Sequence, residues 1–186
     1  MEVTDYRPAW REMFLCESML LRSVLGGAIT ALHHIGSTSI EGMPAKPTVD
    51  ILGVSPEAGE AAGRAEEMAY IGYEYMGEYG LSGRAFFTKA AFFREADCYV
   101  PLFNLHIYGI SSAADILRYI AFRDYLSANS ERAGEYAALK RRLARQFPWD
   151  AEAYVEGKER LVRSIEKDAL EWSIARGLDV RQYFSN

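Results

Sequence analysis

Cysteine is scarce in this chain. Cys16 and Cys98 are the two copies in 186 residues, too few and too far apart for a disulfide framework or a zinc site. Reduced thiols and a cytoplasmic location are the expectation. A basic excess is missing too: 21 Lys and Arg stand against 26 Asp and Glu, a net charge of −5. That excludes the broad positive field by which a protein holds nucleic acid in general or an anionic membrane. No apolar run approaches the roughly 20 residues of a membrane helix. The opening Met1–Tyr6 is acidic, unlike the basic start of a signal peptide. Neither G-x-x-x-x-G-K-S/T nor G-x-G-x-x-G occurs, so a P-loop and a Rossmann site are excluded at motif level. Any positive potential must be local.

The length suits one domain, or a compact domain with a helical appendage. Pro8 to Leu25 has Trp10, Met13, Phe14, Leu20, Leu21, Val24 and Leu25 at helical spacing and stops at Gly26-Gly27. Ala31–Ile35 and Thr48–Val54 read as short strands, the second bracketed by Pro47 and Pro56. Glu57 to Ile71 reads as a helix closed by Gly72, and Tyr73–Met76 and Arg84–Thr88 as strands joined by a Gly77–Gly83 turn. Phe103–Tyr108 alternates, with Phe103, Leu105 and Ile107 on one face and Asn104, His106 and Tyr108 on the other. The segment 92–102 gives no clear signal.

From Ser112 onward the pattern is helical. Ser112 and Asp115 resemble a capping box, and three helices follow, roughly Ala113–Ala128, Glu131–Gln146 and Ala151–Ala175. The expectation is an α+β fold whose residues 1–111 form a mixed sheet flanked by helices. Residues 112–186 form a C-terminal three-helix segment packed on that core.

The run from His34 to Val54 carries most of the chemistry. A Gly-Ser turn lets backbone N–H groups approach a phosphate, because glycine has no Cβ in the way. Lys46, stiffened between Pro44 and Pro47, adds a cation, and Asp50 opens the next strand among Val49, Ile51 and Leu52. A carboxylate at so apolar an address needs a metal, a cation or backbone donors. An ion pair with Lys46 or with a helix cation is the plain structural alternative. Paired carboxylates on one strand would place a second acid at 52, where this chain has Leu52.

Each C-terminal helix has an apolar stripe that contains one cation. Arg123 accompanies Ile116 and Ile120; Lys140 accompanies Tyr136 and Ala137; Lys158 accompanies Tyr154 and Leu161. Snorkelling of each stem explains any one of them, whereas all three together suggest a shared anion-facing pocket to which Lys46 and Arg84 add. Lys89 reads as surface charge. His34 and His106 stand at strand positions, and a lone histidine is usually a hydrogen-bonded structural residue. His106 has the polar face, so beside Asp50 it would ligate a metal or transfer a proton. Trp149, Trp172, Tyr183 and Phe184 either pack or form a partner or homodimer face.

These residues resemble the GrpB family, a group similar to the nucleotidyltransferase superfamily that also occurs fused to dephospho-CoA kinases. The resemblance rests on His-Ile-Gly-Ser-Thr at 34–38, Gly-Met-Pro-Ala-Lys-Pro at 42–47 and Val-Asp-Ile at 49–51. It continues in Gly-Tyr-Glu-Tyr at 72–75, Gly-Arg-Ala-Phe-Phe at 83–87 and Asn-Leu-His-Ile at 104–107. Phe-Arg-Asp-Tyr-Leu at 122–126, Glu-Tyr-Ala-Ala-Leu-Lys at 135–140 and the Tyr154–Lys158 pair extend it over almost the whole chain. It implies a nucleotidyltransferase-like fold with Gly36, Ser37 and Thr38 in a phosphate-facing turn and Asp50 as the first acid of an acid-x-acid strand. The third-acid strand corresponds to the one carrying His106. The implied function is binding of a nucleotide or other phosphate-containing ligand, with Mg²⁺ on Asp50 and His106 and with Lys46, Arg84, Arg123, Lys140 and Lys158 meeting the phosphates. The reaction implied is Mg²⁺-dependent nucleotidyl transfer. A non-catalytic anion-binding domain and an interaction module are the alternatives.

Overall fold

Residues 2–93 and 98–186 are described by the computed structural model, side chains excepted over 91–101. Five strands form one mixed sheet in the order β1-β2-β5-β4-β3, with β2 and β5 parallel and every other pair antiparallel. The strands are β1 (Ala31–Ile35), β2 (Val49–Ser55), β3 (Tyr73–Tyr75), β4 (Arg84–Phe93) and β5 (Cys98–Gly109). Helices cover both faces, as the α+β reading requires.

The alternation of side chains on each strand decides what those helices meet. Val49, Ile51, Leu105, Ile107 and Phe87 face Trp10, Leu21 and Leu25 of α1 (Ala9–Leu25), together with Ala61 and Met68. On the other face Ala31, Ile35, Leu52, Val54 and Tyr108 meet Ile116 and Ile120 of α4 (Ala113–Ala128). A third cluster joins Ile40 and Met43 to Leu126, Tyr136 and Ile165, and so docks α5 (Ser130–Gln146) and α6 (Ala151–Ala175) onto the loop after β1. Gly157 lets α6 lie close to α5, since a Cβ there would come within 2.6 Å of Leu143 Cδ2. Asp150 caps α6 by accepting from Ala153 N at 3.0 Å.

Several sequence expectations change. The single helix over 57–71 is two, α2 (Ala58–Ala62) and α3 (Ala65–Tyr70). Gly59 and Gly63 lie in that stretch, each about 1 kcal/mol worse than alanine within a helix. Ser112 and Asp115 do not form a capping box: Ser112 has no side-chain cap bond, and Asp115 pairs with Arg118 at 3.5 Å. Ile110–Ser112 instead winds as a 3-10 turn straight into α4. The strand expected over Arg84–Thr88 runs on to Phe93, and its partner begins at Cys98. The stretch without a clear signal is thus partly a hairpin arm, residues 94–97 lying outside the described ones. Among the described residues no helix is long and apolar enough to cross a membrane.

Candidate functional site

Strand register lays out the floor. Ile35, Asp50, Asn104 and Thr88 form one cross-strand row, and His33, Leu52, His106 and Phe86 form the next. Asp50, Asn104 and His106 therefore share the face covered by α4 to α6. Asn104 Nδ2 donates to Asp50 Oδ1 at 2.9 Å, while His106 Nε2 stands 3.8 Å from the same oxygen. Gly36 closes the other side. Its backbone is at φ 69° and ψ −171°, a region open essentially to glycine alone, and a Cβ would fall on Asp50 Oδ2. The glycine expected to meet a phosphate thus also makes room for the carboxylate.

Above this floor is a cavity of about 590 Å³, within the range of small-molecule sites. Asp50, His106 and Lys158 reach it, and Tyr119, Phe122 and Tyr136 give it an aromatic wall. Arg118 also lines it, held by Glu166 at 2.9 Å. The sequence reading overlooked Tyr119 and Arg118. Their signal was spacing: Asp115, Arg118, Tyr119 and Phe122 lie on one side of a helix.

The three lysines come together around Asp50, and their partners are neutral. Lys140 Nζ donates to Ser37 Oγ at 2.7 Å and to the Pro44 carbonyl at 2.5 Å, and lies 4.5 Å from the centre of the Tyr136 ring. Lys158 and Lys46 both stand over Tyr154, at 4.5 and 4.6 Å from its centre. Snorkelling does not describe Lys140, which is 2% exposed. Burial, then the nearby Lys158 and Arg141, lowers its pKa to about 7. Burial and then Lys46 lowers that of Lys158 to about 8, and burial lowers that of Lys46 as well. Asp50 opposes the shift in all three. Asp50 thus acts on all three ammonium groups, which are steadied by ring faces and by oxygen atoms without charge, while Glu156, Glu159 and Glu166 of α6 line the cavity beside Lys158.

The other expected site residues are engaged elsewhere. Thr38 is buried, and its hydroxyl meets His34 Nε2 at 3.0 Å. His34 stacks on Phe14, and burial lowers its pKa to about 4, so it is neutral. Ser37 Oγ receives Lys140 and is hydrogen-bonded to Tyr136, which makes it a support for the cation. Arg123 Nε donates to Asp124 at 2.7 Å and Nη1 to the His34 carbonyl at 3.0 Å. Arg84 is buried, donating to the carbonyls of Glu78 and Tyr79 and to His106 Nδ1 at 3.0 Å. Lys89 is not simple surface charge, for its ammonium pairs with the buried Glu17 at 2.8 Å.

The donor set does not fit a resident Mg²⁺. The ion takes oxygen ligands, commonly one or two carboxylates beside water and phosphate. Leu52, at the second-acid position, is fully buried against Ile116 and Ile120, so an acid there would be an unpaired charge in the core. Arg84 donates to His106 Nδ1, which takes the ring lone pair a metal would need. On the strands Asp50 remains, and the cavity's other carboxylates, Glu156, Glu159 and Glu166, come from α6. Among the described residues no three His, Cys, Asp or Glu side chains are grouped to hold a metal.

A family model described as GrpB protein matches residues 1–168. The chain belongs to the GrpB family. It is 38% identical over 176 residues to the UPF0157 protein YqkA of Bacillus subtilis, covering 94% of this chain and 49% of that protein. The chain thus spans about half the length of this curated GrpB relative. The glutamate-rich protein GrpB of Alkalihalophilus pseudofirmus is 31% identical, with 84% of this chain and 88% of that protein covered. The crystal structure of conserved protein GrpB from Enterococcus faecalis superposes with a TM-score of 0.84 at 38% identity, over 91% of this chain and 98% of that one.

Of the C-terminal aromatics, Trp172 packs edge-on to Tyr125, while Tyr183 and Phe184 pack on the Ile116 cluster. Trp149 is 95% exposed.

Proposed function

We propose that this GrpB chain binds a small phosphate-containing ligand, a nucleotide by class, in the cavity between the sheet and α4 to α6. The observation that carries it is that Lys158 lines this cavity beside Asp50, with Lys46 and Lys140 close enough for the same carboxylate to act on all three. Burial lowers the pKa values of these ammonium groups more than Asp50 raises them, and a phosphate would offset that cost with charge-assisted hydrogen bonds. Tyr119, Phe122 and Tyr136 offer a surface on which a base stacks.

Asp50 is the one filled acid position on the strands and, among the described residues, no three metal-binding side chains are grouped; that favours a binding domain over two-metal nucleotidyl transfer, which relies on several carboxylates around its ions. Binding is therefore independent of Mg²⁺ on the protein side. Calorimetric titration with inorganic phosphate, AMP and ATP, each with and without Mg²⁺, tests this. Phosphate-dependent heat that is retained without Mg²⁺ and lost in Lys158→Met is the expected result. Binding that requires Mg²⁺ and vanishes in Asp50→Asn would restore the nucleotidyl-transfer reading.

A further inference from the structure

We propose that Arg84 locks His106 as an Nε2–H donor, and that this donor and the Asp50 carboxylate together receive a hydroxyl group of the ligand. The inference rests on the phosphate-binding reading above and names a second feature of the same ligand.

The argument starts from Arg84. A guanidinium has only donors. Its Nη1 lies 3.0 Å from His106 Nδ1, so Nδ1 must present its lone pair and the proton of the neutral ring must sit on Nε2. Arg84 cannot easily turn away: Nε donates to the Glu78 carbonyl at 3.2 Å, Nη2 to the Tyr79 carbonyl at 2.8 Å, and Phe86 lies 4.5 Å beneath it. The imidazole is held between Phe86 and Tyr119, with ring centres 5.0 and 5.4 Å away. Its orientation is therefore set on both sides.

The locked N–H faces Asp50 Oδ1 across 3.8 Å, too far for a hydrogen bond. An oxygen placed about 2.8 Å from each closes that gap. It accepts from Nε2–H and gives its own hydrogen to the carboxylate. A fully ionised phosphate oxygen cannot do this, since it has no hydrogen and Asp50 repels it. An ammonium cannot either, having no lone pair. A hydroxyl does both, and takes the place of a bridging water. Asp50 and His106 line the same cavity as Lys158, so the ligand class is a phosphate ester with a free hydroxyl, such as the ribose of a nucleotide.

Two measurements test it. Long-range proton–nitrogen NMR of the unmodified protein, with His106 assigned through His106→Gln, is expected to show Nε2 protonated and Nδ1 bare at pH 7. A ring protonated on Nδ1 overturns the proposal. Calorimetry then compares AMP with 2′,3′-dideoxy-AMP, with inorganic phosphate as control. AMP is expected to bind about tenfold more tightly, the worth of one charge-assisted hydrogen bond. His106→Gln, which keeps an N–H near the Nε2 position, retains that preference, and His106→Asn loses it. Equal affinity for the two nucleotides overturns this inference and leaves the phosphate reading standing. Absence of binding by phosphate and both nucleotides overturns the two together.

Discussion

The ammonium of Lys140 in the middle of α5 donates to Ser37 Oγ and to the Pro44 carbonyl, at 2.7 and 2.5 Å. This ties the loop between β1 and β2 to a helix about a hundred residues further along the chain. It also keeps a buried cation near Asp50 with no carboxylate of its own, and the proposed phosphate binding draws on that cation.

Lys140→Met retains much of the stem while deleting the charge. Phosphate affinity is expected to fall about tenfold, the range of one charge-assisted hydrogen bond. Thermal stabilisation by added phosphate should shrink by the corresponding amount. A variant that binds phosphate as well as the parent would show that Lys140 is only a loop fastener.

Stability should rise with pH in the unliganded protein. Lys140 and Lys158 titrate near 7 and 8 when folded, against about 10.5 when unfolded. Between those limits the unfolded chain binds more protons, so unfolding free energy increases as pH rises. The penalty is fully present well below pH 7 and is relieved progressively from there towards pH 10.5, most of it by about pH 9.5. Above 10 the sign reverses, because burial raises the pKa values of Tyr73, Tyr108 and Tyr154. Urea midpoints from pH 6.5 to 9.5 test this, and saturating phosphate should flatten the slope by holding both lysines charged. A midpoint that falls over this range contradicts it.

Gly36→Ala should disturb the site more than any mere loss of flexibility. The backbone conformation alone costs a side-chain-bearing residue about 1–3 kcal/mol, and the new methyl must displace the Asp50 carboxylate. Phosphate binding is expected to weaken along with stability. Gly27→Ala, where a Cβ meets nothing within 4 Å, is the control and should stay within about 0.5 kcal/mol of the parent.

Glu17→Ala should destabilise the fold by about 3 kcal/mol, since removing one partner of a buried pair strands the other. Glu17 and Lys89 side chains are 9% and 21% exposed and join α1 to β4. Glu17→Leu combined with Lys89→Met should recover most of the loss in chemical denaturation. A double variant no better than the single would assign the loss to packing instead of charge.

Much of the scaffold was legible in residue order. Val49, Ile51, Leu105 and Ile107 announce buried strands by their alternation, and the last three helices appear almost residue for residue because their apolar spacing is long and regular. The helix at 57–71 was misread because propensity summed over the window hid two glycines. The hairpin arms are legible over Arg84–Thr88 and Phe103–Tyr108 but not beyond, because Phe92, Phe93 and their neighbours do not alternate.

The local pattern also determined which side chains were candidates for chemistry: Asp50, His106 and one cation in each late helix. What each of them does was decided by tertiary structure alone. Strand pairing put Asn104 on Asp50, a loop carbonyl and a hydroxyl fixed Lys140, and Arg84 turned to His106. Hydrogen-bond partners and burial are set by groups distant in sequence, and spacing along one chain has no means of encoding which donor meets which acceptor.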